Sequence, residues 1–242
     1  MPEPYEHLSP SLGVRHNTFG QPIGKALSGW HGCHKLPDAE LDGRTCHVAP
    51  YDRVFAPGLY EAFAGDDGRM WTYLPYGPFG EAEEVADSIE TYQKNRDFHT
   101  FVVVKDEQAL GYASYMRYDL ANGAVEIGGV TFSPALRRST VATEAMYLMM
   151  KHAFEHGFRR YEWKCDQLNI PSNQAALRLG FQFEGVFRNA MTSKGRRRDT
   201  AWYAVIVEDW PAVEARFLKW LSPDNFKDDG SQKVALSAMK LG

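Results

Sequence analysis

The chain has 242 residues, 44% of them hydrophobic and 13% aromatic, enough apolar material for one large globular domain, alone or with extensions. Its formal net charge of −4 argues against general nucleic-acid binding and is mildly compatible with a cationic substrate. Cys33, Cys46 and Cys165 are odd in number and widely spaced, which disfavours a disulfide framework and points to a reducing compartment.

Residues 1–40 read as an N-terminal extension, rich in Pro, Gly and His and without periodicity. Its opening, MPEPYEHLSPSLG, has neither a basic n-region nor an apolar core, so no signal peptide is expected. No apolar run nears the ~20 residues that span a bilayer. The expectation is a cytoplasmic protein with no membrane partner. His31-Gly32-Cys33-His34 lacks a second Cys/His cluster at finger-like spacing, so no metal site is expected. The arm is expected to lie over the domain body or over a second subunit, which leaves room for a homodimer.

The domain itself is expected over residues 41–221. Thr45 to Ala49 alternates as a strand, and Asp52 to about Ala64 has helical spacing. Met70 to Phe79 cannot be regular helix, because two prolines and a glycine break it. It carries Trp71, Tyr73, Tyr76 and Phe79 within nine residues. That is either a satellite hydrophobic cluster under a loop or one wall of a substrate cleft. Glu81 to about Lys94 reads as a helix whose face bears Glu81, Glu83, Glu84, Asp87 and Glu90. Such a face is ordinarily solvated; beside a cleft it would favour an amine. Thr100–Val104 and Ala109–Arg117 then read as strands, the second with a bulge candidate at Gly111, joined at Asp106-Glu107-Gln108. With the next strand they make an antiparallel meander.

The stretch AVEIGGVTFSPALRRSTVATEA, Ala124 to Ala145, organises the rest. A β-branched strand carries Gly128 and Gly129 where a ligand or another backbone must come close. The chain turns at Ser133-Pro134, passes Arg137 and Arg138, and enters a helix at about Ser139 or Thr140 that ends near Gly157. A strand feeding a helix N-terminus through a basic turn suits phosphate: free N–H groups, the positive end of the dipole and fixed charge converge there. Residues Arg137, Arg138, Ser139, Thr140, Val141 and Ala142 are the candidate cradle. Arg160 to Cys165 is a strand parallel to the first, because a helical crossover joins them. Asn169-Ile170-Pro171-Ser172 opens a short helix that stops at Gly180. Phe181–Gly185 and Asp199–Val207 form a hairpin, with Lys194, Arg196, Arg197 and Arg198 crowding the turn as solvated loop or anionic contact. Pro211–Leu221 is an amphipathic helix, and residues 222–242 are a tail expected to be loosely held.

This order, with Ala142-Thr143-Glu144-Ala145 after the turn, Asn169-Ile170-Pro171-Ser172, Leu179-Gly180-Phe181 and Phe183-Glu184-Gly185, resembles the GNAT acyltransferase superfamily. Within it the chain looks like the ribosomal-protein N-terminal acetyltransferases of the RimJ/RimL type, over about Gly43 to Asp209. The resemblance implies an α/β (α+β) fold: a mixed, partly antiparallel central sheet flanked by helices. It implies acetyl-CoA as donor and an amine as acceptor, either a peptide N-terminal α-amine or a small molecule such as an antibiotic, polyamine or aminoacyl nucleotide. A non-catalytic acetyl-CoA sensor is the alternative outside enzymology.

By that resemblance, the backbone of Gly128, Gly129 and Val130 binds pantetheine and polarises the thioester, and residues 137–142 hold the pyrophosphate. Asn169 binds the donor or a catalytic water, Ser172 protonates or hydrogen-bonds the leaving sulfur unless it serves only as a helix cap, and Glu126 is the candidate base, directly or through water. Trp71, Tyr73, Tyr76 and Phe79 would face the acceptor. The chain departs from the family in two places. The phosphate turn has Arg138 and Thr140 where relatives have glycines, so it should lack residues tolerant of left-handed backbone. Met191 stands where some relatives place a glutamate base.

Overall fold

A computed structural model of the chain describes residues 15–239, so the segment read above for a signal peptide lies outside the described residues. The chain forms two compact units, one ending at Gly32 and one beginning at Cys33. In the first, β1 (Arg15–His16) and β2 (Pro22–Ile23) pair antiparallel. The Asn17 side chain closes their turn by accepting from the Phe19 and Gln21 amides at 2.9 Å each.

The second unit is built on one sheet with strand order β3-β4-β5-β6-β7-β8-β10-β9. It opens with β3 (Leu41–Asp42) and β4 (His47–Pro50), slightly later than the expected Thr45–Ala49. The expected helix at 52–64 is split: Asp52 caps a short 3-10 turn, and α1 (Ala56–Phe63) starts where Pro57 fits the first helical turn. The loop 64–81 leads to α2 (Ala82–Arg96). β5 (His99–Lys105) and β6 (Gln108–Asp119) follow. Asp106 and Glu107 between them both take positive φ, the pattern of a tight hairpin turn.

Next come β7 (Ala124–Phe132), α3 (Thr140–Glu155), β8 (Arg160–Asp166) and α4 (Ile170–Leu179). β9 (Gln182–Ser193), β10 (Arg196–Ile206) and α5 (Trp210–Leu221) complete the order. The basic run does not lie in the expected turn. The three arginines are strand residues of β10, and only Lys194 lies in the turn, because Lys194 and Gly195 both adopt left-handed backbone and close the hairpin in two residues. The tail also differs from expectation: Leu236 and Met239 are buried in the main core, and the Asn225 amide donates to the carbonyls of Trp220 and Val234.

One sheet face carries Phe101, Ala113, Tyr115, Val125, Ile127, Tyr161, Trp163 and Tyr203 into the large core with α3 and α5. The other packs Val102 and Tyr112 against Leu59, Phe63, Val85 and Ile89 of α1 and α2. This two-layer covering is what a sheet with alternating apolar faces requires. Buried Glu144 of α3 accepts from the Arg44 and Thr45 amides at 2.8 and 2.6 Å and so fixes the β3–β4 turn to the helix.

Candidate active site

β7 and β8 run parallel for four pairs, Ala124↔Arg160 to Ile127↔Trp163, and then part. Beyond that point β7 continues through Gly128–Phe132 and β8 through Lys164–Asp166 without pairing to each other. The sheet therefore splits, leaving strand edges that face a gap. On its other side β7 bulges: Tyr112 and Ser114 of β6 oppose Thr131 and Gly128, so β7 carries an extra residue there. Gly129 supplies the left-handed φ of +58° that this bulge needs. The Tyr76 hydroxyl donates to the Gly129 carbonyl at 3.2 Å and lies 2.8 Å from the Thr131 hydroxyl, which fixes the bulge from outside.

The turn after β7 leads into α3. Ser139 is the N-cap; its Oγ accepts from the Ala142 amide at 3.0 Å and donates to the Leu136 carbonyl at 2.6 Å. Among the described residues nothing accepts from the amides of Arg138, Thr140 or Val141. The Arg137 guanidinium is committed to Asp66. Burial pushes the Asp66 carboxyl up, but the Met70 amide and Arg137 outweigh it and hold that carboxyl below its usual range. Arg138 is exposed, has no acidic partner among the described residues, and adopts φ +60°. The turn thus does contain a left-handed residue, built with arginine in place of glycine. Three open amides and a free guanidinium at a helix N-terminus fit a diphosphate.

At the other lip, Asn169 caps α4 by accepting from the Ser172 amide at 3.3 Å. The Trp163 indole donates to Ser172 Oγ at 3.1 Å, so the hydroxyl proton of Ser172 is left to give. Cys165 lies beside Ser172; burial raises its thiol despite a lowering from Ser172, which makes it a poor nucleophile at neutral pH.

Glu126 is 4% exposed and lies on the α1/α2 side of β7. Its Oε2 accepts from Arg117 at 2.8 Å and from Lys164 at 3.0 Å. Lys164 also reaches Glu162 at 2.6 Å, and its Nζ sits 3.7 Å from the Trp202 ring centroid. Arg160 continues the chain of charges to Glu162 and Glu184. Glu162 is pushed up by burial, but its bonds to Lys164 and Arg160 hold it below the usual carboxylate range. Oε1 of Glu126 has no partner among the described residues and lies 3.3 Å from where a Cβ on Gly128 would stand.

The expected aromatic wall is divided. Trp71 is 5% exposed and packs edge-on against Phe63 and Phe79, as core. Phe79 stacks on Tyr76. Tyr73 is 37% exposed, and its hydroxyl donates to the Leu168 carbonyl at 3.0 Å, beside Asn169. Lys194 at the hairpin tip donates to the Trp71 carbonyl at 2.7 Å, so the β9–β10 hairpin and the aromatic loop meet. Met191 is paired with Arg198 across that hairpin. The structure therefore brings Tyr76 to Gly129 and Tyr73 to the Asn169 loop, and leaves Trp71 and Phe79 beneath.

Sequence reasoning did not single out Arg117, Glu162, Lys164 and Trp202. The available signal was the alternation in β8, where Arg160, Glu162 and Lys164 share one face of a strand whose other face is Tyr161, Trp163 and Cys165.

The family model of the acetyltransferase (GNAT) domain matches residues 48–182. The chain belongs to the GNAT family. As a GNAT acetyltransferase it is similar to a GCN5-related N-acetyltransferase from Brucella melitensis, whose crystal structure matches with a TM-score of 0.83 at 36% identity, over 87% of this chain and 97% of that one. A probable acetyltransferase of the GNAT family from Chromobacterium violaceum ATCC 12472 matches at 0.74 and 43% identity, over 79% and 98%. Among curated relatives, the ribosomal-protein-serine acetyltransferase of Escherichia coli (strain K12) is 27% identical over 157 residues, 62% of this chain and 86% of that protein. The family uses acetyl-CoA and acetylates amines, so this GNAT chain is an N-acetyltransferase; no described helix is long and apolar enough to cross a membrane.

Proposed function

We propose that the enzyme acetylates the α-amine of a peptide or protein N-terminus, with Glu126 receiving the amine's proton and the Ser172 hydroxyl donating a hydrogen bond to the leaving thiolate. The observation that carries this reading is the geometry of Glu126: Oε2 is anchored by Arg117 and Lys164, while Oε1, beside Gly128, has no partner among the described residues. An anchored carboxylate with one free oxygen is a positioned base.

Acetyl-CoA, when bound, supplies an acetyl carbonyl as electrophile and a thiolate as leaving group. The chain supplies the rest. Amides of Arg138, Thr140 and Val141, with the Arg138 side chain, hold the diphosphate end. The bulge at Gly128–Val130 presents backbone at the gap where β7 and β8 part, and Tyr76 keeps it in place. Ser172 holds a donatable proton at Oγ because Trp163 occupies its acceptor side. An α-amine has a reference pKa of ~7.7–8.0 against ~10.4 for lysine, so one modest base suffices for it. The ribosomal-protein-serine acetyltransferase among the relatives supports an N-terminal acceptor.

The test is free-thiol release over a panel of amines: peptides with free N-termini, lysine-containing peptides blocked at the N-terminus, polyamines and aminoglycosides. Release with free-N-terminus peptides at a kcat/KM at least ~10-fold above the others is expected. Release confined to polyamines or aminoglycosides would overturn the reading and favour the small-amine alternative.

A further inference from the structure

One cation of the basic β9–β10 hairpin stands apart from the donor site and from the proton transfers. Several cations on and around the hairpin have an oxygen partner. Lys164 has Glu126 and Glu162, and Arg117 has Glu126. Arg197, on the opposite face of β10, has Asp199, and Lys194 has the Trp71 carbonyl. Arg198 is different. Among the described residues it has no carboxylate; its only donated bond goes to the Met191 sulfur at 3.1 Å, a weak acceptor, and its Nε is buried with no partner at all.

A half-buried guanidinium left in this way is under-satisfied, and its surroundings are apolar. Met191 lies across from it, and Phe187 pairs with Thr200 two residues on and packs against Trp202, the ring centroids 4.5 Å apart and the planes tilted by 35°. Strand alternation puts Arg198, Thr200 and Trp202 on one face, the face of Lys164 and Glu126. The geometry points to Arg198 as the receptor for a carboxylate on the acceptor. This rests on the N-terminal peptide reading above and specifies its substrate class.

Spacing narrows the class further. Arg198 is four residues from Trp202, about 13 Å of strand, and Trp202 covers the Lys164 that anchors Glu126. A free amino acid carries its carboxylate too close to its amine to reach both. An extended chain advances ~3.3–3.6 Å per residue, so a peptide with Asp or Glu at its fourth or fifth position spans the interval. The substrate is an acidic N-terminal peptide.

The test uses peptides matched except for Asp against Asn, or Glu against Gln, at positions four and five, with free aspartate and glutamate as the small-molecule arm. Two readouts run in parallel: kcat/KM by thiol release, and calorimetric affinity for the N-acetylated forms, which cannot turn over. The acidic member should exceed its amide by about 10-fold or more in both. Arg198→Met should bring that ratio close to one with coenzyme A affinity unchanged, and Arg198→Lys should retain part of it. A ratio near one in the natural protein, a ratio that survives Arg198→Met, or equal preference for the free amino acids would overturn the assignment. If no peptide is acetylated while the N-acetylated acidic forms still bind through Arg198, the α-amine reading fails and the carboxylate receptor stands.

Discussion

The two sides of the split sheet are made of different material. The proposed donor side is largely backbone: a bulge at Gly129, the open amides at the start of α3, and the capped start of α4. The proposed acceptor side is side chains: the Arg117–Glu126–Lys164–Glu162 network, Trp202, the aromatic loop and the hairpin that meets it. A site for a common donor can be specified by chain conformation, which many sequences achieve. A site for one acceptor must be specified by which side chains converge, and those come from distant parts of the chain.

The largest effect should fall on the acceptor side alone. Glu126→Gln keeps the shape and Lys164's bond to Glu162, and removes the proton acceptor; kcat should fall about 10²–10⁴-fold while coenzyme A affinity stays within about twofold. An unchanged rate-against-pH profile would remove Glu126 as base. Gly129→Val should strike the donor side. A Cβ there meets Phe98, Ser114 and Tyr76 only at 3.5–3.6 Å, so the harm comes from forcing a β-branched residue to φ +58°. That strain of about 1–3 kcal/mol should lower Tm and weaken coenzyme A by calorimetry, and Gly129→Ala should do the same more mildly.

The same division explains what could be read from the sequence. The α4 start at Asn169 and Pro171, its stop at Gly180, the parallel β7–β8 pair and the Gly-Gly interruption are local signals, and all appear where expected. The commitment of Arg137 to Asp66 was not legible, because 71 residues separate the partners. Nor was the division of the aromatic loop into buried Trp71 and half-exposed Tyr73, which depends on Phe63, Phe79 and Leu168 arriving together. The basic run was placed in a turn because composition does not show that Lys194 and Gly195 suffice to close it.

Arg138→Gly sharpens the comparison by separating conformation from charge. Releasing a non-glycine residue from φ +60° should raise stability by about 0.5–1 kcal/mol, while loss of the guanidinium should weaken coenzyme A about 10-fold. If affinity is untouched, the diphosphate is held by amides alone. The smallest effect on transfer should come from His152, which is buried on α3. Burial, then the neighbouring His156, lowers its pKa to about 4. A base with a depressed folded pKa favours folding while neutral, so its contribution is present above ~6.5 and is lost as pH falls from there towards 4. His152→Phe should flatten the fall in Tm across that window and leave kcat near neutral pH unchanged.

The central claim is that the donor is held by backbone at the split, and amide hydrogen exchange with and without coenzyme A tests it most directly. The account predicts new protection at Arg138, Thr140 and Val141 and along Gly128–Val130, with the β9–β10 hairpin unchanged. Protection confined to the hairpin, with those amides exchanging as before, would contradict it.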